Sequence, residues 1–230
     1  MRKKIASRKV KVIFMKILKL FATFLLFSYI GLSASTCTIN PAKALLTDIQ
    51  RAEIESIISE KINEEAEDTA DWIVVDKDID AASVRRLNNY IEKLPKEIIE
   101  LIEREDLKLY LTGTEEIFDR IAEGDEIVAG YYDLDRNVIY IRKYYEDIST
   151  LHEIGHFVNA YTNNSNFTKI AEVEGHRKLL EKIECSEEDI KYLLSNKSEY
   201  FASCFQYFFQ EPKFMKKYQP KTYEYFLVFS

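Results

Sequence analysis

The segment Leu151-His152-Glu153-Ile154-Gly155-His156-Phe157-Val158 holds two histidines four residues apart with a glutamate between them. In a helix, residues at i and i+4 share a face, so both imidazoles project together and can bind one Zn²⁺. Glu153 stands beside the first imidazole, where a carboxylate can take the proton of a water at the metal. The bland alternative is a surface helix carrying two chance histidines. Against it, the chain has only three histidines, and the pattern falls where a strand-like segment gives way to a helix.

A catalytic zinc site needs a third protein ligand and leaves a fourth position for water. His176 is the remaining histidine and lies 20 residues beyond His156, so a carboxylate is expected. Glu172, Glu174 and Glu199 are the candidates, and Glu199 is favoured by its setting. It opens an unusually apolar helix from Tyr200 to Phe209, which Ser198 or Asn196 could cap. The ordinary alternative is a first-turn glutamate favoured by the helix dipole.

Hydrophobic periodicity supplies the elements that must position these groups. The histidine helix is predicted over Thr150 to Tyr161, with Ser149 or Asp147 as N-cap and the polar run from Thr162 to Asn166 as its end. Before it, Leu107, Leu109 and Leu111 alternate with Lys108 and Tyr110 as in a strand. Thr114 to Ile121 reads as a short helix. Ile127 to Tyr132 and Val138 to Ile141 read as a hairpin with an acidic, exposed loop from Asp133 to Asn137. A helix is predicted from Leu45 to Ala66, and another from Ser83 to Glu103, broken at Pro95. Lys169 to Lys182, Ser186 to Leu194 and Glu199 to Phe209 are read as helices. Helices, a small central sheet, then helices make an α+β fold.

Charge and composition narrow the function class. Residues 1–44 carry nine basic and no acidic side chains, leaving 23 basic against 39 acidic ones for the rest of the 230-residue chain. So acidic a surface repels phosphates and argues against a nucleic-acid partner. The basic opening, the uncharged run from Leu20 to Ala34 and the small-x-small Ala42-Lys43-Ala44 follow the order of a secretory signal peptide cut after Ala44. A retained membrane anchor and a lipoprotein at Cys37 are the alternatives. The expectation is a secreted soluble monomer without stable membrane insertion after cleavage. Its divisions are a signal at 1–44, a helical support region at 45–85 and a catalytic domain at 86–230. Cys185 and Cys204 can form at most one disulfide, so stability must come from a packed core.

The segment from Leu151 to Val158, together with Tyr192 and Glu199, resembles the zinc metalloprotease family that contains the catalytic domain of anthrax lethal factor and the secreted Pro-Pro endopeptidases. In that family the two-histidine helix is followed by a tyrosine and, seven residues on, by a glutamate that starts a helix rich in Phe and Ala. Tyr192 and Glu199 have that spacing. Val128 to Tyr132 and Val138 to Ile141 resemble the family's substrate-side hairpin, and the similarity spans Ile91 to Phe226.

The resemblance implies a mostly helical zincin-like domain with a small mixed or antiparallel sheet. It implies Zn²⁺ on His152, His156 and Glu199, with Glu153 activating water and Tyr192 donating its hydroxyl to the developing oxyanion. The implied partner is an extended peptide or protein, cut at proline-containing sites. An edge strand of the hairpin could pair with it, with Tyr131, Tyr132, Tyr140, Tyr144 and Tyr145 lining the groove. Two departures stand out. Ser203 and Cys204 lie where many relatives carry a further acidic residue. The stretch from Leu111 to Glu115 lacks the tryptophan associated with Pro-Pro cleavage, the chain's one tryptophan being Trp72. A catalytically inactive peptide-binding module of the same fold is the competing function.

Overall fold

The computed structural model describes residues 46–63, 69–122, 127–162, 167, 187, 190–191 and 197–229. Along these run helix α1 (Asp48–Lys61), strands β1 (Ile62–Asn63) and β2 (Ile73–Asp76), helices α2 (Ala81–Ile91) and α3 (Lys96–Arg104), and strand β3 (Lys108–Thr112). Helix α4 (Glu115–Ile121), the hairpin of β4 (Gly130–Asp133) and β5 (Val138–Arg142), and helix α5 (Glu146–Tyr161) follow. Helices α6 (Lys197–Gln210), α7 (Pro212–Tyr218) and α8 (Pro220–Phe226) and a short 3₁₀ helix (Leu227–Phe229) complete the order. Among the described residues no helix is long and apolar enough to cross a membrane.

The strands form one sheet in the order β1-β2-β3-β5-β4. β2, β3 and β5 are parallel to one another, whereas β1 and β4 run antiparallel to their neighbours. Alternation along each strand feeds two cores. Ile73, Val75, Leu109, Leu111, Ile139 and Ile141 enter the larger one, with Leu87 of α2, Ile98 and Ile102 of α3, Leu151, Ile154 and Phe157 of α5, and Phe201 and Phe205 of α6. On the opposite face Tyr140, with Tyr110, Tyr131 and Val138 partly buried, packs against Ile54 and Ile58 of α1 and Ile117, Phe118 and Ile121 of α4.

Local chemistry sets the boundaries. Asp80 caps α2, its carboxylate accepting from the backbone N–H groups of Ala82 and Ser83 at 3.0 and 2.9 Å. Pro95 separates α2 from α3 by standing as the N-cap of the second, the break expected of it. Asn137 closes the hairpin at φ 55°, a left-handed conformation that asparagine tolerates. Its side chain donates to the Glu105 carbonyl and accepts from the Tyr132 hydroxyl.

The sheet is mixed, one of the two arrangements expected, because α4 and the hairpin's outer strand intervene between β3 and β5 and let those two pair in parallel. Several other expectations are corrected. β5 is an interior strand, so among the described residues β4 is the hairpin's edge strand. The hairpin loop is not simply exposed: Asp133 is fully buried and clamped by Arg51 of α1. Helix α5 starts at Glu146, so neither Asp147 nor Ser149 caps it. Glu146 is buried, pairs with Arg86 of α2 and accepts from the Tyr144 backbone N–H. Ser198 lies inside α6 rather than capping it. The segment 1–44, the helix read at Lys169 to Lys182, and Asn196, Glu172, Glu174, His176, Cys185 and Tyr192 lie outside the described residues. Cys204 is buried in the larger core.

Candidate metal centre

The centre is built where α5 crosses the start of α6. Leu151, Ile154, Phe157 and Val158 are fully buried and hold α5 on the sheet, which leaves His152 and His156 on the face turned to α6. The helices approach closely at Gly155: a Cβ there would lie 2.9 Å from Ala202 Cα and 3.1 Å from Phe205 Cβ. No side chain fits at that spacing. Gly155 sits between the two histidines in sequence and Ala202 lies one turn beyond Glu199, so this contact sets how near the glutamate comes to the imidazoles.

His152 Nε2 lies 3.2 Å from Glu199 Oε2, and His156 Nε2 lies 3.4 Å from Glu199 Oε1. The two Nε2 atoms are 3.1 Å apart. Each residue offers one ligand atom to a group whose members all fall within 4.8 Å of one another, a set that could hold a metal ion. Burial by itself would raise the Glu199 carboxyl, but the hydrogen bonds and charges of His156 and His152 outweigh it and hold it well below the usual carboxylate range. The donor chemistry fits zinc: two imidazole nitrogens and one carboxylate oxygen suit a tetrahedral site with one open position.

Glu153, on the adjacent flank of α5, is buried. A Cβ on Gly130 would meet Glu153 Cγ at 2.9 Å, Glu153 Oε1 at 3.1 Å and Ser149 Cβ at 2.7 Å. Glycine therefore lets the edge strand β4 run directly past this carboxylate. Tyr132 also faces α5, edge-on to Phe157 at 6.2 Å. The other tyrosines read as a groove divide: Tyr131 and Tyr140 belong to the opposite core, Tyr140 stacking on Tyr110 at 5.8 Å. Burial pushes the Tyr131 hydroxyl up to about 12, so it stays neutral. Tyr144 is exposed at φ 72°.

Sequence reasoning gave Gly130 and Asn159 no place at the site and Ser198 only the place of a helix cap. Ser198 Oγ lies 2.9 Å from His156 Nδ1 and accepts from Asn159 Nδ2 at 3.2 Å. Asn159 is three residues after His156, on the same helix face, which is the signal that could have found it.

Residues 138–228 match the family model described as anthrax toxin lethal factor, N- and C-terminal domain. The fold is similar to that of the Pro-Pro endopeptidase PPEP-2 from Paenibacillus alvei, with a TM-score of 0.50 and 19% identity over 68% of this chain and 96% of that one. The lethal-factor-like resemblance is borne out. No curated protein gives a significant match. The lethal-factor-like match begins at β5 and includes α5 and α6, so it covers His152, Glu153, His156 and Glu199. The fold is mostly helical with a small mixed sheet, in line with the α+β, zincin-like expectation.

Proposed function

We propose that this protein is a secreted zinc endopeptidase. The observation that carries the reading is the convergence of His152, His156 and Glu199 on one point, with the buried Glu153, next in sequence to His152, lying against the edge strand β4 at Gly130. Zinc held there supplies Lewis acidity, making a water more acidic and polarising the scissile carbonyl. Glu153 takes the water's proton and passes it to the departing amine. Tyr192, by the family resemblance, donates its hydroxyl to the oxyanion. The extended substrate adds to the edge of β4, where main-chain hydrogen bonds give affinity and register. The first 44 residues act as the export signal in this reading, and residues 45–85 as the support for a catalytic domain at 86–230.

Two observations bear on specificity. Trp72 is buried in the larger core and cannot line a cleft. Thr112 and Thr114, in the stretch without tryptophan, both donate to Asp76. Selection of proline around the cut bond would therefore use other side chains.

The experiment is cleavage-site profiling of a diverse peptide library with residues 45–230, with zinc and after chelation. Internal cuts at a restricted motif that vanish with chelator and return with zinc are expected. Failure to cut together with failure to bind zinc would leave the peptide-binding module as the better account. Gly130→Ala checks the edge-strand geometry. Forcing a methyl group against Ser149 and Glu153 is expected to cost about 1–3 kcal/mol in denaturant unfolding. It should also lower kcat/KM, because the displaced carboxylate and strand lose their alignment.

A further inference from the structure

An imidazole can offer Nε2 to a cation only when its proton sits on Nδ1, and what the protein presents to Nδ1 decides whether that tautomer is favoured. His156 Nε2 faces the donor cluster, 3.1 Å from His152 Nε2 and 3.4 Å from Glu199 Oε1. Its Nδ1 faces Ser198 Oγ at 2.9 Å. A serine hydroxyl has two acceptor lone pairs. Asn159 Nδ2 donates to one of them at 3.2 Å, which seats the oxygen and leaves the second for the His156 N–H. The first turn of α6 thus meets His156 at both ring nitrogens, with Glu199 toward Nε2 and the preceding Ser198 toward Nδ1. Asn159, on α5 itself, closes the triangle between the two helices.

We propose that Ser198, seated by Asn159, is a positioning residue that fixes His156 as its Nδ1–H tautomer and aims Nε2 into the metal group. This rests on the zinc reading above. Outer partners of metal-bound histidines orient the ring and raise its basicity, and their loss typically costs about 10–100-fold in metal affinity. The device is local to the first turn of α6: the hydroxyl of Ser203, further along the helix, is buried and makes no hydrogen bond among the described residues.

The test is zinc affinity by competition with a chromophoric chelator, alongside the absorption spectrum of the cobalt(II)-substituted protein and the melting temperature of the metal-free form. The proteins are wild type, Ser198→Ala, Ser198→Thr, Asn159→Ala and the Ser198→Ala/Asn159→Ala double variant, with His156→Ala locating the site. Ser198→Ala should lose about 10–100-fold in affinity and shift the cobalt spectrum, with metal-free melting unchanged. Ser198→Thr, which keeps the hydroxyl, should restore most of the affinity. Asn159→Ala should lose less, and the double variant no more than Ser198→Ala alone, since both act through one oxygen. If Ser198→Ala lowers metal-free melting, Asn159→Ala carries the comparison by the same readouts. Wild-type affinity and spectrum in Ser198→Ala, or an equal loss in Ser198→Thr, overturn the role of the hydroxyl. Additive losses overturn the link through Asn159. A wild type that binds no zinc, or binds it equally after His156→Ala, overturns the metallopeptidase reading itself, which separates that failure from the failure of Ser198.

Discussion

Replacing Glu153 by glutamine is expected to lower kcat/KM by about 10²–10⁴-fold, the usual worth of a general base, with zinc content and melting temperature close to wild type. The amide keeps the carboxylate's shape but cannot accept a proton. The shape matters here, because Glu153 is buried and lies against Gly130 of β4. Glutamine also leaves His152, His156 and Glu199 in place, so loss of activity without loss of metal separates proton transfer from zinc binding. Steady-state cleavage of a peptide found by library profiling, with metal analysis of both proteins, makes the comparison. Equal rates in the two proteins would remove Glu153 from the chemistry.

What could be read from the sequence was local. The pairing of His152 with His156 and the position of Glu153 beside them need only one helix turn, and α5 supplies it. Glu199 is 47 residues from His152. Its arrival depends on the crossing at Gly155 and Ala202, which no periodicity encodes, and so the spacing alone leaves three glutamates as candidates. The hairpin was legible because β4 and β5 are joined by a short loop. The parallel pairing of β3 with β5 was not, because α4 and the outer strand lie between them and a crossover leaves no local mark. The start of α5 was misjudged for a similar reason. Glu146 lies ahead of the predicted helix and its proposed cap, yet Arg86, 60 positions earlier, meets the Glu146 carboxylate at 3.0 Å and allows it to be buried as helix. Ser198 was read as a cap because serine before a helical run usually is one. Its actual partner, His156, lies on another helix.

Arg51→Ala is expected to destabilise the protein by about 3–5 kcal/mol, the cost of leaving a buried charge without its partner. That is a large share of the roughly 5–15 kcal/mol by which domains are stable. Asp133 is fully buried, and Arg51 meets both of its carboxylate oxygens, Nε at 3.1 Å and Nη2 at 3.4 Å. The same guanidinium reaches Asp135 in the hairpin loop and Asp48 on its own helix. This contact joins α1 to the end of β4, so the loss should fall on the strand assigned to substrate as well as on stability. Denaturant midpoints test the first expectation, and a rise in KM exceeding the fall in kcat tests the second. Asp133→Asn should cost less, because Asp135 and Asp48 still meet the arginine. Arg51→Met combined with Asp133→Leu should recover most of the stability, since an apolar pair needs no desolvation of charge. If Arg51→Ala instead shifts stability by no more than about 0.5 kcal/mol, as a surface substitution would, the clamp is not what holds α1 to the hairpin.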